Sequence, residues 1–340
     1  MPMQQMLLGA GGGPDVGTEA IITSGHSDYT WVSDTTTWVC PAGVTSISVV
    51  CIGGGAMYGN YGTPHGGGGA GLGWKNNITV SPGTSYAVQV AAAIQTTNLA
   101  QNTNPSHTWF KDAAGNILVE GQSGNAQTGG SWTGDGGGAG GAGGSTSSAW
   151  GSYSRGAGGG AGGYGYIDGN GTVQPGNGGA GAGGSQSGSQ GVDGSNGQND
   201  GAGGGSSMYY ASNHAACTTS GGGGGSHLYG TGGGANPSVE GTGTGNGTGG
   251  TVDGQQGGNG QSGRDGDAGQ YGEPNNRSQM DPNNNHDFYT NADNAYGGGF
   301  GSVAVPAQCS GQNVDSTGGA IRIIWPGNTR TFPSNALPVS

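Results

Sequence analysis

The residues that could carry out catalysis are scattered along this sequence. The histidines are His26, His65, His107, His214, His227 and His286. None lies in an HExxH metal-binding motif, and no GxSxG nucleophile motif is present. Asp281, Asp287 and Asp293 lie in one stretch, so a pair of catalytic carboxylates, as in a glycosidase, is an alternative that the sequence does not exclude. We nevertheless expect no enzyme, because such a site needs a scaffold with more apolar and charged residues.

The cysteines and acidic pairs do not predict a metal site or a cofactor. The cysteines are Cys40, Cys51, Cys217 and Cys309. They form no CxxC pair, whereas zinc ligands usually come in closely spaced pairs. We expect small buried thiols, with oxidation outside the cell as the alternative. Asp265 and Asp267 are interpreted as a solvated charge pair rather than a cation site.

Aromatic and amide side chains are concentrated in segments that separate the glycine runs. These segments are 57–65, 149–156, 207–217, 226–230 and 275–300. Rigid rings beside adaptable polar groups are typical of surfaces that bind proteins or sugars. The alternative is that the rings cap the glycine-rich region. The candidate receptor-binding residues are Tyr58, Tyr61, Trp150, Tyr153, Tyr209, Tyr210, His214, Tyr229, His286, Phe288, Tyr289 and Tyr296.

The composition excludes several functions. Of 340 residues, 87 are glycine, only 8% are charged, and the net charge is −12 with seven Lys and Arg. Phosphate binding needs basic clusters, so we expect no nucleic-acid partner. No apolar run is long enough for a transmembrane helix, and the first residues lack the features of a secretory signal.

Strand patterns occur only at the two ends of the sequence. Residues 44–52 alternate, with Ile47, Val49 and Cys51 on one face and Ser46 and Ser48 on the other. Further strands are predicted at 30–43, at 74–80 and 85–93 around the turn 81–84, in a hairpin at 107–121, and at 318–327, followed by an extended tail at 329–334. The last strand is needed to complete a sheet that begins about 200 residues earlier.

Glycine recurs at every third position in parts of the middle of the chain. Residues 254–274 contain seven such triplets, and shorter patches occur at 137–144 and 188–199. A three-residue period fits the left-handed extended helix. Collagen is disfavoured because the patches are short and poor in proline, and a calcium β-roll lacks its aspartates. We favour polyglycine-II helices that pack side by side through backbone hydrogen bonds.

These patterns predict an all-β protein. We expect a β-sandwich built from residues 21–120 and 301–340, with residues 121–300 inserted as a polyglycine-II bundle. Residues 1–20 are interpreted either as an assembly anchor or as a strand packed on the chain's own sandwich. Loops that join the glycine helices are expected at the ends of the bundle.

Residues 38–55, 66–90 and 318–334 resemble the glycine-rich virion proteins of tailed phages, especially marine and cyanobacterial phages. The resemblance covers about 130 residues, and the middle matches in composition only. In that class, and in the tail-fibre-tip adhesins of T-even-like phages, glycine-rich segments fold into stacked polyglycine-II helices. The glycine-rich region of anaplastic lymphoma kinase is also similar, with a jelly-roll-like sandwich framing the helices.

The resemblance implies a tail fibre or tail-tip adhesin that binds a host surface glycan or outer-membrane protein. A purely structural virion part and an extracellular filament or matrix protein remain alternatives. The implied partners are other virion proteins, and self-association into a homo-oligomer is a further alternative. With no signal peptide predicted, we expect synthesis in a host cytoplasm, assembly into virions and action outside the cell, without a cofactor or membrane insertion.

Overall fold

The fold was analysed in a computed structural model. The structure describes residues 5–8, 19–23, 26–28, 34–58, 65–96, 102–103, 106–125, 127–145, 154–182, 194–199, 201–204, 208–209, 218–219, 223, 225–228, 295–298, 303–304, 314–315 and 318–334. All regular secondary structure among these residues is β-structure. The predicted all-β class is therefore confirmed.

The strands vary from two to eight residues in length. They are β1 (Gln5–Leu8), β2 (Glu19–Thr23), β3 (His26–Asp28), β4 (Asp34–Val39), β5 (Ser46–Ile52), β6 (Met57–Tyr58), β7 (Leu72–Thr79), β8 (Ser85–Val90), β9 (Ala93–Thr96), β10 (Asn102–Thr103), β11 (Thr108–Lys111), β12 (Ile117–Gly121), β13 (Trp132–Thr133), β14 (Gly136–Gly138), β15 (Ser154–Arg155), β16 (Gly163–Ile167), β17 (Val173–Gly176), β18 (Met208–Tyr209), β19 (Thr218–Thr219), β20 (Ser226–His227), β21 (Ala295–Tyr296), β22 (Val303–Ala304), β23 (Val314–Asp315) and β24 (Ala320–Ile324).

Two antiparallel sheets dominate the fold. One has the order β1-β2-β24-β5-β7-β14, and the other has the order β13-β12-β11-β8-β4. Strand β24 pairs with β2 on one side and β5 on the other. The expectation that the last strand completes an N-terminal sheet is therefore confirmed. A smaller sheet, β23-β9-β3, contains a parallel pair between β3 and β9.

One apolar core contains side chains from both large sheets. Ile47, Val49 and Cys51 of β5 are fully buried in it, as the alternating pattern predicts. Trp38 is fully buried in it, with its ring centroid 5.9 Å from that of Tyr86. Burial of this cluster supplies the apolar driving force that the glycine-rich residues lack.

The second face of β5 is buried as well, which the alternating pattern did not predict. Val50 and Ile52 join a second apolar cluster on that side of the six-stranded sheet. Ser48, expected on a solvent face, is fully buried, and its hydroxyl donates to the carbonyl of Arg330 at 2.8 Å. Both faces of this sheet are therefore covered.

Side chains from the glycine-rich region contribute to the second cluster. Tyr164 and Leu228 pack there with Trp74, whose indole N–H donates to the Tyr164 carbonyl at 2.8 Å. The Tyr164 hydroxyl donates to the Leu228 carbonyl at 2.8 Å. These few large side chains fix the glycine-rich part of the chain to the sheet.

The C-terminal segment corrects one prediction. Residues 329–334 were expected to be an extended tail, but residues 327–334 form turns. The Asn76 side chain hydrogen-bonds the backbone N–H and carbonyl of Phe332, both at 2.8 Å. Phe332 is buried against Tyr164 as a result. Burial of the Phe332 ring stabilises the folded-back segment, whereas an extended tail would leave this ring exposed to water.

A buried ion pair joins β2 to β24. The Arg322 guanidinium is fully buried, and its Nη2 lies 2.8 Å from Glu19 Oε2. Its Nη1 also donates to the Leu228 carbonyl at 3.0 Å. The charge is therefore neutralised and hydrogen-bonded, as burial requires.

Tight turns gather at one end of the molecule, which we call the turn end. They connect β4 to β5 at 41–43, β7 to β8 at 81–84, β11 to β12 at 112–116 and β16 to β17 at 168–172. The predicted turn at 81–84 and the predicted 107–121 hairpin are confirmed. The other ends of these strands adjoin glycine-containing segments, and we call that end of the molecule the loop end.

Strand β1 lies in the segment interpreted as either an anchor or a strand of the sandwich. It pairs with β2 over four residues, at the edge of the six-stranded sheet. This pairing agrees with the second interpretation for residues 5–8. The proposed division into a leader, a sandwich and an insert stays a prediction.

Candidate functional site

Six segments, all but one of them rich in glycine, continue the strands toward the loop end. Residues 53–56 follow β5, 65–71 precede β7, 122–125 follow β12, 139–145 follow β14, 156–162 precede β16 and 177–182 follow β17. We call these the glycine segments. The described parts of the aromatic segments 57–65 and 149–156 adjoin the glycine segments, since β6 follows residue 56 and β15 precedes residue 156.

Backbone hydrogen bonds between the glycine segments repeat every third residue. The N–H groups of Gly66 and Gly69 donate to the carbonyls of Gly144 and Gly141, each at 2.9 Å. The N–H groups of residues 68 and 71 donate instead to 122–125. Successive residues therefore bond in different directions, whereas a β-strand alternates between two.

The same period holds between parallel neighbours. Gly159 and Gly162 donate to the carbonyls of Gly67 and Ala70, at 2.9 and 2.8 Å. Segment 156–162 also bonds to 139–145 and to 177–182. Each segment is thus tied to several others, and these bonds join residues 53–56 and 65–71 to parts of the predicted insert.

The approach of these backbones leaves no room for side chains at the bonded glycines. A Cβ on Gly66 would lie 1.8 Å from the Ala157 carbonyl oxygen, and a Cβ on Gly69 would lie 2.1 Å from that of Gly160. Real Cβ contacts are longer than 3.0 Å. Alanine occurs where space remains: Ala142 is exposed and Ala139 is half-buried.

Three of the predicted receptor-binding residues lie among the described residues. Tyr58 ends β6, which pairs with β10, and Tyr209 ends β18, which pairs with β15. Tyr296 ends β21, which pairs with β20. The other candidates lie outside the described residues: Tyr61, Trp150, Tyr153, Tyr210, His214, Tyr229, His286, Phe288 and Tyr289.

The β15–β18 pair brings two aromatic segments together. Ser154 lies opposite Tyr209, and Arg155 lies opposite Met208. This register places the ends of segments 149–156 and 207–217 side by side, although more than 50 residues separate them in sequence. The sequence offers no signal for this pairing, because each strand contains only two residues.

Tyr296 occupies a different environment from the loop residues. It is half-buried against the second apolar cluster, and burial raises the pKa of its phenol to about 12. Its neighbours in that cluster include Leu228 and Tyr164. This placement favours a packing role for the ring rather than receptor contact.

The triplets of 254–274 and the stretch with Asp281, Asp287 and Asp293 lie outside the described residues. So do Cys217 and Cys309, whereas Cys40 and Cys51 are buried free thiols, as predicted for small buried cysteines. Burial raises the pKa of both described thiols. Among the described residues, no group of His, Cys, Asp or Glu is arranged to hold a metal ion.

A histidine–carboxylate pair was missed in the sequence. His107 Nδ1 lies 3.1 Å from Glu120 Oε1, and the Gln122 amide donates to Glu120 Oε2 at 3.2 Å. The hydrogen bond from His107 is the main cause of a lowered Glu120 pKa. The pairing of β11 with β12 creates this contact, so the predicted 107–121 hairpin was the sequence signal that could have indicated it.

Comparison with known proteins gives no assignment. No family model matches the chain, and no curated protein matches it by sequence. In the part of the chain that the structure describes, no helix is long and apolar enough to cross a membrane.

Proposed function

We propose that this chain is a phage virion protein, most simply a tail-fibre or tail-tip adhesin. In this proposal its two large sheets form a jelly-roll-like β-sandwich, and the glycine segments form a bundle of polyglycine-II helices. The bundle presents aromatic and amide-rich loops to a glycan or protein of the host cell surface. We propose no catalytic activity.

The observation that carries the proposal is the three-residue period of backbone bonds between the glycine segments. Polyglycine II has three residues per turn, so its donors point in three directions. Individual backbone bonds contribute only about 0.5–1.5 kcal/mol each, but many of them act together here. Such a scaffold needs few apolar side chains and holds loops at fixed positions.

The position of the loops supports a binding role. Tight turns of three to five residues connect the strands at the turn end, whereas the longer stretches 57–64, 146–155 and 183–193 separate, in sequence, the segments that run toward the loop end. Long connections in compact proteins are usually functional. We infer that the aromatic segments 57–65 and 149–156, which lie within or beside these stretches, form the surface that meets a receptor.

The scaffold is tested by hydrogen exchange followed by mass spectrometry on the full chain. Amides in 66–71, 139–144 and 156–162 should exchange slowly, because most of their N–H groups donate to neighbouring segments. Exchange of these glycine amides at the rate of an unstructured peptide would refute the polyglycine-II bundle.

The binding role is tested with labelled full-length protein on a panel of bacterial and cyanobacterial cells. Trp150→Ala with Tyr153→Ala, both in the aromatic segment 149–156, should abolish binding to the cells that the unchanged protein recognises. Tyr166→Ala at the turn end is the matched control and should bind normally. Binding to no cell type, or loss caused equally by both changes, would contradict an adhesin.

A further inference from the structure

One row of side chains crosses all five strands of the five-stranded sheet on a single face. Residues that lie directly opposite each other in an antiparallel pair share a face. In spatial order the row contains Thr35, Gln89, Trp109, Glu120 and Thr133. The residues next to them in sequence, Val88, Phe110 and Val119, belong to the apolar core, so the row lies on the opposite face. Neighbouring strands are about 4.8 Å apart, which gives the row a length of roughly 19 Å.

A chain of side-chain hydrogen bonds runs along one side of this row. His107 Nδ1 lies 3.1 Å from Glu120 Oε1, and the Gln122 amide donates to Glu120 Oε2 at 3.2 Å. The Ser131 hydroxyl donates to Gln122 Oε1 at 2.6 Å. The hydrogen bond from His107 lowers the pKa of Glu120, so this carboxylate is ionised at neutral pH. Four polar side chains from three neighbouring parts of the sheet are therefore held together.

The other side of the row is organised in the same way. The Thr35 hydroxyl donates to Gln89 Oε1 at 3.2 Å, and the Gln89 amide donates to the His107 carbonyl at 2.8 Å. Both amide groups of the face, Gln89 and Gln122, are thus fixed by neighbours on two sides. Side chains that are already ordered lose little entropy when a ligand binds.

All of these side chains are accessible to solvent. Thr35, Ser131 and Thr133 are exposed, whereas Gln89, His107, Trp109, Glu120 and Gln122 are half-buried. Lys111 Nζ lies 4.2 Å from the centre of the Trp109 ring and shields part of it. The lysine stem is long and flexible, so this ammonium group can move beside the ring and donate to a ligand there. The row therefore has one aromatic ring at its centre and hydrogen-bonding groups on all sides of it.

We propose that this face of the five-stranded sheet binds a neutral oligosaccharide, with the Trp109 ring as the platform on which one sugar ring stacks. A pyranose presents C–H groups on its faces and hydroxyl groups around its edge. The C–H groups pack on the indole, and the hydroxyls bond to the amides of Gln89 and Gln122 and to the Glu120 carboxylate. The length of the row suits several linked sugar rings rather than one.

Other ligand classes fit this face less well. The core of a protein interface is usually built from several apolar anchors, whereas Trp109 is the single apolar side chain of the row. An acidic ligand would approach the ionised Glu120 in a chain whose net charge is −12. A neutral polyhydroxy ligand meets neither difficulty.

This site is separate from the aromatic segments that the proposed adhesin uses, and it does not depend on the virion function. If both proposals hold, the chain has two binding sites, one in segments such as 149–156 and one on the sheet. The two sites can be removed independently, because Trp109 and Trp150 lie in different parts of the sequence.

The test is isothermal titration calorimetry of the full chain with linear hexasaccharides of glucose, galactose, mannose and N-acetylglucosamine. At least one hexasaccharide should bind, and Trp109→Ala should weaken its binding tenfold or more. Gln122→Ala should weaken it about threefold to tenfold, because one neutral hydrogen bond is lost. Tyr166→Ala, which removes a 47% exposed ring from another sheet, is the matched control and should leave the Kd unchanged. Thermal unfolding checks that each variant is folded.

Each other outcome overturns the proposal. It is wrong if the unchanged protein binds none of the four hexasaccharides, or if a folded Trp109→Ala variant binds as well as the unchanged protein. Should Trp109→Ala fail to fold, an unchanged Kd of Gln122→Ala is decisive against it.

Two further results would assign a different role. Loss of hexasaccharide binding only in the Trp150→Ala, Tyr153→Ala variant would place the sugar on segment 149–156, which overturns the sheet site and supports the adhesin. Sedimentation of the unchanged protein as an oligomer that Trp109→Ala dissociates would assign the face to a second copy of the chain. Failure of the adhesin proposal alone would appear as unchanged cell binding by the Trp150→Ala, Tyr153→Ala variant, with hexasaccharide binding still dependent on Trp109.

Discussion

Replacing a single glycine of the closely packed glycine segments by alanine should destabilise this protein strongly. Gly160 is suited to the test because its N–H donates to the Gly179 carbonyl at 2.9 Å and its carbonyl accepts from Gly141 at 2.7 Å. A Cβ at this position would lie 2.2 Å from the Ala202 carbonyl oxygen and 2.5 Å from that of Gly203. The backbone of residues 201–204 would therefore have to move away.

The size of the effect follows from these distances. Restoring a contact of at least 3.0 Å from 2.2 Å requires a shift of 0.8 Å. That shift disturbs two bonds of Ala202, to Gly179 N–H at 2.8 Å and to the Ala161 carbonyl at 2.9 Å. Two bonds contribute about 1–3 kcal/mol, and overpacking costs about 1–3 kcal/mol. We therefore expect a loss of about 2–6 kcal/mol, or a fall in Tm of roughly 10 °C.

Gly169→Ala is the matched control. Gly169 lies in the 168–172 turn, and a Cβ there would meet nothing within 4 Å. Both substitutions reduce the entropy of the unfolded chain equally, so that contribution, about 0.4–1 kcal/mol, cancels in the comparison. The control should be as stable as the unchanged protein or slightly more so.

The assay is thermal and urea unfolding followed by circular dichroism, with hydrogen exchange of 156–162 and 177–182. Faster exchange should appear first in these two segments of the Gly160→Ala variant. If Gly160→Ala and Gly169→Ala unfold at the same midpoint, the close packing of the glycine backbones is not a source of stability, and the reasoning above is wrong.

Three further predictions concern titratable groups. Glu120 has a lowered folded pKa, so its ionised form stabilises the fold above its unfolded pKa and this contribution is lost as the pH falls through the folded value. The Tm of Glu120→Gln should therefore fall less between about pH 5 and pH 3 than the Tm of the unchanged protein, and an equal fall would contradict this assignment. Glu19→Gln should cost about 3 kcal/mol by leaving the buried Arg322 charge uncompensated, which urea unfolding at neutral pH will measure; a loss below about 1 kcal/mol would show that the pair is not needed. Cys51, fully buried with a raised thiol pKa, should react with a thiol reagent only on unfolding, tested with the other three cysteines replaced by serine; prompt reaction of the native protein would show that the core opens.

Much of the β-framework could be predicted because local sequence determines it. The alternation of Ile47, Val49 and Cys51 indicates a strand with one face in a core, and the turns at 81–84 and 112–116 contain residues that favour those conformations. The burial of the opposite face of β5 could not be predicted. It depends on Tyr164 and Leu228, which lie more than 100 residues away in sequence.

The candidate site likewise combines features that local sequence indicates with features that depend on residues far apart in sequence. Glycine content and its period of three indicated backbone packing, because only glycine permits such close approach and the period sets the directions of the donors. The sequence could not indicate which segments are neighbours. The bonds of Gly66 to Gly144 and of Gly159 to Gly67 join chains without side chains, so no complementary pattern marks them. Tyr296 shows why its role could not be predicted from sequence, since an aromatic ring suits a core and a binding surface equally well.

The sequence by itself therefore indicated an all-β protein with strands of the two large sheets at both ends of the sequence. The expectation that strands occur only there was wrong, because β13 to β22 lie between residues 132 and 304 and β14 joins the six-stranded sheet. Only the tertiary structure decided which strand ends share the tight turns and which lead into the glycine segments. The reason is that strand periodicity and turn chemistry are local, whereas the direction and neighbours of each segment are set by long-range pairing.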